Sequence, residues 1–236
     1  MRRSLFAAAA FAAAGAAVWA VAFHTTAGAR ADATVLARFL ELDAPGADRL
    51  ATQVARLADP VPVAVFTVAI AGVALLRRGV RLALAASAAL VGANVSTQAL
   101  KMWTAAPRPV DAPPGAHVAA QSWPSGHATA AAALALCLVV VAPSRLRPYA
   151  AMLAGVFALG VACSVLVLGW HLPSDAIGGF CVAATWTLAA VALARRRPCA
   201  HAGGVKPSDR SVSSTRREPN STSSRRRSAR MRRRPA

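Results

Sequence analysis

Six stretches of this chain, residues 5–23, 60–76, 82–100, 125–142, 148–168 and 176–194, are apolar with no Asp, Glu, Lys or Arg to interrupt them. Each comes close to the roughly 20 residues that an α-helix needs to cross a hydrocarbon layer about 30 Å thick. Hydrocarbon offers no hydrogen-bond partner, so backbone placed in it must satisfy its own N–H and C=O groups, and runs of this length do so as helices. An all-α architecture follows: a polytopic membrane bundle of about six transmembrane helices. Composition agrees, because 56% of the 236 residues are hydrophobic and 15% charged, which excludes a wholly disordered chain and departs from a soluble globular one. The many Ala and Gly residues allow the close helix approach that holds bundles together in lipid.

The 27 Lys and Arg against 9 Asp and Glu give a formal charge of +18, unevenly spread. Residues 195–236 hold 14 basic and 2 acidic side chains among Ser, Thr, Pro and Gly. Such a composition does not offset the entropy of folding, and this basic C-terminal tail is expected to be disordered. Its expected partner is the anionic lipid head group, met through charge alone; phosphate contacts to nucleic acid without sequence preference are the alternative, and specific nucleic-acid recognition is not expected.

Basic residues in short loops set membrane orientation. Arg2-Arg3, the group Arg77, Arg78 and Arg81, the pair Arg145 and Arg147, and Arg195–Arg197 all fall on one face when the spans alternate. That face is expected to be cytoplasmic, in a multi-pass protein of the cell membrane, with residues 24–59, 101–124 and 169–175 on the extracytoplasmic side. In the first of these segments four Arg and five acids nearly cancel. Apolar spacing over residues 33–42 and 47–57 predicts short amphipathic helices lying at the interface as a lid or collar. Arg2-Arg3, the first apolar run and Ala27-Gly28-Ala29 also fit a cleavable secretory signal, but the run exceeds the roughly 7–15 residues of a signal's apolar region, which favours a retained span. Cys137, Cys163, Cys181 and Cys199 form no C-x-x-C pair and no regular spacing to a histidine. Buried free thiols are expected rather than a zinc or disulfide framework.

Three polar clusters stand at the external ends of spans. Lys101 is followed seven positions later by Arg108-Pro109; Pro124-Ser125-Gly126-His127 opens the fourth run; Gly169-Trp170-His171, with Asp175, opens the sixth. Two cations, two histidines and a carboxylate suit an anionic substrate, and phosphate fits: Arg108 offers a fork and Lys101 a point charge. A helix beginning at Ser125-Gly126-His127 aims free backbone N–H groups at an anion, and Gly permits close approach. One histidine can attack phosphorus while the other protonates the leaving alkoxide. A carboxylate four residues from a histidine can hold its other ring nitrogen and fix the tautomer.

Lys-x6-Arg-Pro, then Pro-Ser-Gly-His, then a segment ending His-x3-Asp, in that order at span ends, resemble the motifs of the type-2 phosphatidic acid phosphatases. These are integral-membrane lipid phosphatases that share a site with vanadium-dependent haloperoxidases. The resemblance covers roughly residues 60–194. It implies that Lys101, Arg108, Ser125 and Gly126 bind phosphate, that His171 is the nucleophile forming a phosphohistidine, that His127 protonates the leaving group, and that Asp175 orients His171. It implies neither a metal nor a cofactor. The implied substrate is a phosphate monoester or diphosphate of a lipid, of undecaprenyl diphosphate or phosphatidic acid type, met at the extracytoplasmic face. The chain then divides into residues 1–59, a first transmembrane segment and external amphipathic region; residues 60–194, a phosphatase core of five transmembrane helices; and residues 195–236, the cytoplasmic tail.

One position departs from that pattern. The family's third motif begins Ser-Arg, whereas here Ser164 is followed by Val165, so a third phosphate-binding cation is missing. A hydrogen bond to a charged group is worth about 1.5–3 kcal/mol, so its loss corresponds to roughly 10–150-fold in transition-state binding. Val165→Arg is expected to restore the cation, and His117 is a candidate partial substitute. A phosphotransferase passing the phosphoryl group to another acceptor, and a member that binds lipid phosphate without turnover, are the alternatives. Asn94, Ser96, Thr97 and Gln98, near the outer end of the third run, are expected to join helices through hydrogen bonds, with facing the site as the alternative. Trp103, Trp123 and Trp170 are expected at the outer surface, two of them in an interfacial belt.

Overall fold

The computed structural model describes residues 2–42 and 46–194; the tail, with its expected disorder and lipid contacts, lies outside the described residues. Among the described residues there are eight helices and no strand: α1 (Arg2–His24), α2 (Thr26–Leu40), α3 (Ala47–Arg56), α4 (Pro60–Arg78), α5 (Val80–Trp103), α6 (Gly126–Val141), α7 (Arg147–Val167) and α8 (Pro173–Ala194). All six apolar runs are helical. The two amphipathic stretches are α2 and α3, with α2 starting earlier than its apolar spacing suggests. Thr25 sets that start, because its hydroxyl accepts the Gly28 N–H at 3.1 Å and caps the helix.

Helices α1, α4, α5, α7 and α8 are long and apolar enough to cross a membrane. The run at residues 125–142 differs. It yields a helix of 16 residues, about 24 Å long, because Ser125 caps one end and Pro143 follows the C-cap Ala142 at the other. Its residues from Ala128 to Ala135 are all buried, so neighbouring helices enclose its first half, while Leu136 and Leu138 further along are exposed.

Small side chains build the interior. Ala85, Ala86, Ala89 and Ala93 of α5 meet Ala132 and Ala133 of α6 and Ala183 and Ala190 of α8 around Leu90, Leu134 and Cys137. Helix α1 packs along α8, α4 along α5 and α7 along α6, while α2 touches α1, α7 and α8 and α3 lies on α7. A Cβ at Gly179 would stand 2.8 Å from the Ser125 carbonyl oxygen and 2.9 Å from the Thr129 nitrogen. Glycine there lets α8 reach the first turn of α6, which brings two of the polar clusters together. Gly169, at φ +64°, turns the chain from α7 toward His171.

The ends of the bundle differ in chemistry. One gathers Lys101, the loop between α5 and α6, and the first turns of α4, α6 and α8. At the other, Arg78 and Arg147 both donate to the Ala142 carbonyl at 3.5 Å. The expected tryptophan belt is smaller than the sequence suggests. Trp103 is 86% exposed, but Trp123 is buried with Ala22 and Phe23 and Trp170 turns toward His127. Cys137 and Cys181 are buried as expected, whereas Cys163 is exposed and Cys199 lies outside the described residues.

Candidate active site

The His171 ring is held from one side. Its Nδ1 lies 3.3 Å from Asp175 Oδ2; His171 stands just before α8 and Asp175 in its first turn. The same Oδ2 accepts the Leu172 N–H at 2.9 Å. Nδ1 is thereby engaged, and among the described residues nothing bonds Nε2, which is left for chemistry. Asp175 is fully buried, and its other oxygen, Oδ1, pairs with Arg108 Nη2.

Arg108 stands differently from the open fork its sequence context suggests. Nη1 donates to Asp32 Oδ2 at 2.9 Å and to Ser174 Oγ at 3.0 Å; Nη2 donates to Asp175 and, at 3.5 Å, to Ser122 Oγ. The guanidinium also lies 4.2 Å over the Phe23 ring, a favourable cation–π geometry. Both terminal nitrogens are therefore occupied by the protein. Lys101 is the contrasting cation, with no hydrogen bond among the described residues. A Cβ added at Gly126 would sit 3.9 Å from its Nζ, so Lys101 points at the start of α6.

Ser125 is fully buried and acts locally: its hydroxyl accepts the Ala128 N–H at 3.3 Å and its own N–H donates to the Asp175 carbonyl at 2.9 Å. The N–H groups of Gly126 and His127, in the first turn of α6 beside Lys101, have no partner within the helix. His127 lies 6.5 Å from His171, ring centre to ring centre, and 5.8 Å from Trp170. Its Nε2 is 3.3 Å from Asp59 Oδ1.

Two acids of this site carry no sequence motif. Asp59 is the N-cap residue of α4 but makes no side-chain cap bond, which leaves its carboxylate for His127. Asp32 comes from α2 and is 7% exposed. Burial pushes its carboxyl above the usual carboxylate range, against the pull of the Ser174 hydrogen bonds and Arg108. A signal for it exists in the sequence: the buried stripe of α2 is Ala29, Asp32, Leu36, spaced three and four, so an acid sits where the helix turns its apolar face inward.

Val165 is fully buried, and its carbonyl accepts the Trp170 N–H at 3.0 Å. An arginine there would enter a filled position, at about 1–3 kcal/mol for overpacking, which opposes the simple restoration of a cation. His117 is exposed, and its backbone N–H bonds the Gly169 carbonyl at 2.8 Å. Of the polar residues near the outer end of α5, Thr97 bonds Thr129 at 3.1 Å and Ser96 accepts from Trp186 at 2.9 Å, joining helices as expected. Asn94 and Gln98 instead line a groove of about 650 Å³ between α4 and α5. The groove runs from Val68, Val91 and Val95 up to Asp59, Lys101 and His127. Among the described residues no group of three or more His, Cys, Asp or Glu is placed to hold a metal ion.

A buried histidine backed by a carboxylate, a second histidine and a lysine beside a helix N-terminus gather at one end of a bundle whose long apolar helices suit a membrane. The family model of the PAP2 superfamily matches residues 82–199, and the chain belongs to that superfamily. Its fold is similar to the crystal structure of a transmembrane PAP2-type phosphatidylglycerolphosphate phosphatase from Bacillus subtilis, with 25% sequence identity and a TM-score of 0.67 over 80% of this chain and 96% of that one. No curated protein matches the chain.

Proposed function

We propose that this PAP2 membrane protein hydrolyses a phosphate monoester or diphosphate of a lipid through a phosphohistidine. The observation that carries the reading is the groove between α4 and α5, whose apolar wall suits an acyl or prenyl chain and whose polar end is Lys101 and His127. A phosphate at that end meets the Lys101 ammonium and the N–H groups of Gly126 and His127, which stabilise the charge of the transferring phosphoryl group. His171 Nε2 attacks phosphorus while Asp175 holds Nδ1–H. The bond from phosphorus to the lipid oxygen breaks, and that oxygen takes a proton from His127. Water then attacks the phosphohistidine and gives its proton to His127, which releases inorganic phosphate and returns both rings to their first state. Arg108 contributes by fixing Asp175 and by adding positive charge behind it.

Phosphatidic-acid-type lipids and undecaprenyl diphosphate both suit a groove of this kind. The basic clusters at the opposite end of the bundle support an extracytoplasmic site, and the basic tail on the other side is proposed to meet anionic head groups. Purified protein in detergent is expected to release inorganic phosphate from dioctanoyl phosphatidic acid or from a polyprenyl diphosphate. Release from neither would leave a lipid-phosphate-binding protein. Impermeant thiol reagent added to whole cells is expected to label Ala112→Cys; protection of that thiol until the membrane is opened would reverse the orientation.

A further inference from the structure

Asp32 lies outside the matched stretch of residues 82–199, on a helix too short to cross the membrane, yet it reaches the centre of the site. Its Oδ1 accepts the Ser174 N–H at 2.8 Å; its Oδ2 accepts the Ser174 hydroxyl and, at 2.9 Å, Arg108 Nη1. Ser174 belongs to the first turn of α8, whose backbone N–H groups have no partner within the helix. Asp32 therefore caps α8 from another element, next to the residue that holds His171. Two routes lead from its carboxylate to Asp175, one through the α8 backbone at Ser174 and one through Arg108, and Asp175 Oδ2 then meets His171 Nδ1. A buried cluster of two acids and one arginine is a poor source of stability, since desolvation offsets most of the Coulombic attraction. What it supplies is a fixed direction.

We propose that Asp32 is a positioning residue for the nucleophile: it fixes Arg108 and the first turn of α8 so that Asp175 aims His171 Nε2 at phosphorus. The inference rests on the reading of His171 as nucleophile. Ionisable groups around the cluster are Lys101 on α5, Arg108 in the following loop, His127 on α6, His171 just before α8 and Asp175 on α8; the last turn of α7 brings none. Asparagine at position 32 keeps the size but presents an amide donor to a guanidinium or a backbone N–H, leaving one of them unpaired.

The test measures phosphate release from dioctanoyl phosphatidic acid in detergent by wild type, Asp32→Asn and Asp32→Glu, each at matched folded concentration. Asp32→Asn is expected to lower kcat by roughly 10–100-fold, as loss of a group behind a reacting histidine does, with KM within about twofold. Asp32→Glu, which keeps the charge and moves it by one methylene, is expected to recover part of that loss, and it carries the test alone if the asparagine variant fails to fold. An Asp32→Asn protein with undiminished kcat, with its loss confined to KM, or with raised activity because Arg108 is released to the substrate, overturns the proposal while leaving the function intact. A wild type that releases no phosphate overturns both.

Discussion

The two histidines of the site are built in opposite ways. The His171 side chain is 9% exposed, its partner Asp175 is fully buried, and behind them stand Arg108, Ser174 and Asp32. His127 is 25% exposed, its partner Asp59 is 45% exposed, and both open onto the groove. In the proposed reaction the difference has a physical basis. A nucleophile must approach phosphorus along one line, and misplacement of an ångström can cost about 100-fold. A general acid has only to reach an oxygen whose position changes with the lipid, so a solvated partner suffices.

The contrast breaks most visibly at His171. Replacement by Ala is expected to lower phosphate release by on the order of 10⁴-fold or more for every ester, because no covalent intermediate forms without it. Comparable rates for wild type and His171→Ala in a single-turnover assay would remove it as nucleophile. His127→Ala is expected to cost roughly 10²–10⁴-fold with an alkyl phosphate and far less with an aryl phosphate, whose leaving group needs no proton. Equal losses on the two esters would contradict its role as acid.

Smaller effects sharpen the comparison. Asp59→Asn is expected to lower kcat by less than about tenfold, because a half-exposed ion pair is worth about 0–1 kcal/mol; a loss as large as that from His127→Ala would mean that the acid side is held as firmly as the other. The smallest effect is a pH slope. The folded protein binds the Asp32 proton more tightly than the unfolded chain, whose ordinary value is 3.8. This contribution to stability is present below that value and is lost as pH rises through the raised folded value. Wild type should therefore lose stability relative to Asp32→Asn as pH climbs above about 4, by at most about 1.4 kcal/mol per unit. Parallel unfolding curves over that range would place the Asp32 carboxyl at its ordinary value.

Local patterns in the chain were sufficient for five long apolar helices and for the amphipathic α2 and α3, and a spacing of four allowed the meeting of His171 with Asp175, whereas the run at residues 125–142 gave only a 16-residue helix. The start of α6 at Ser125 was likewise readable as a helix N-terminus, although Ser125 is buried there and gives its N–H to the Asp175 carbonyl. Less readable were the partners of Arg108 and His127. Asp32 bonds Ser174 from 142 residues away and Asp59 bonds His127 from 68. Neither distance leaves a motif, although the acid within the apolar stripe of α2 was a usable sign.

What the sequence by itself determined is the helical membrane bundle and the clustering of Lys101, His127, His171 and Asp175 near helix ends, because burial of apolar runs and helical periodicity act over a few residues at a time. Tertiary structure decided the electrostatic state of those groups. Gly179 admits α8 to the first turn of α6, Gly169 turns the chain toward His171, and α2 brings Asp32 onto Arg108. Only after those elements pack is it settled that Arg108 faces two carboxylates while Lys101 has no hydrogen-bond partner among the described residues. A charge's partners depend on which surfaces meet in space, and no local pattern encodes that.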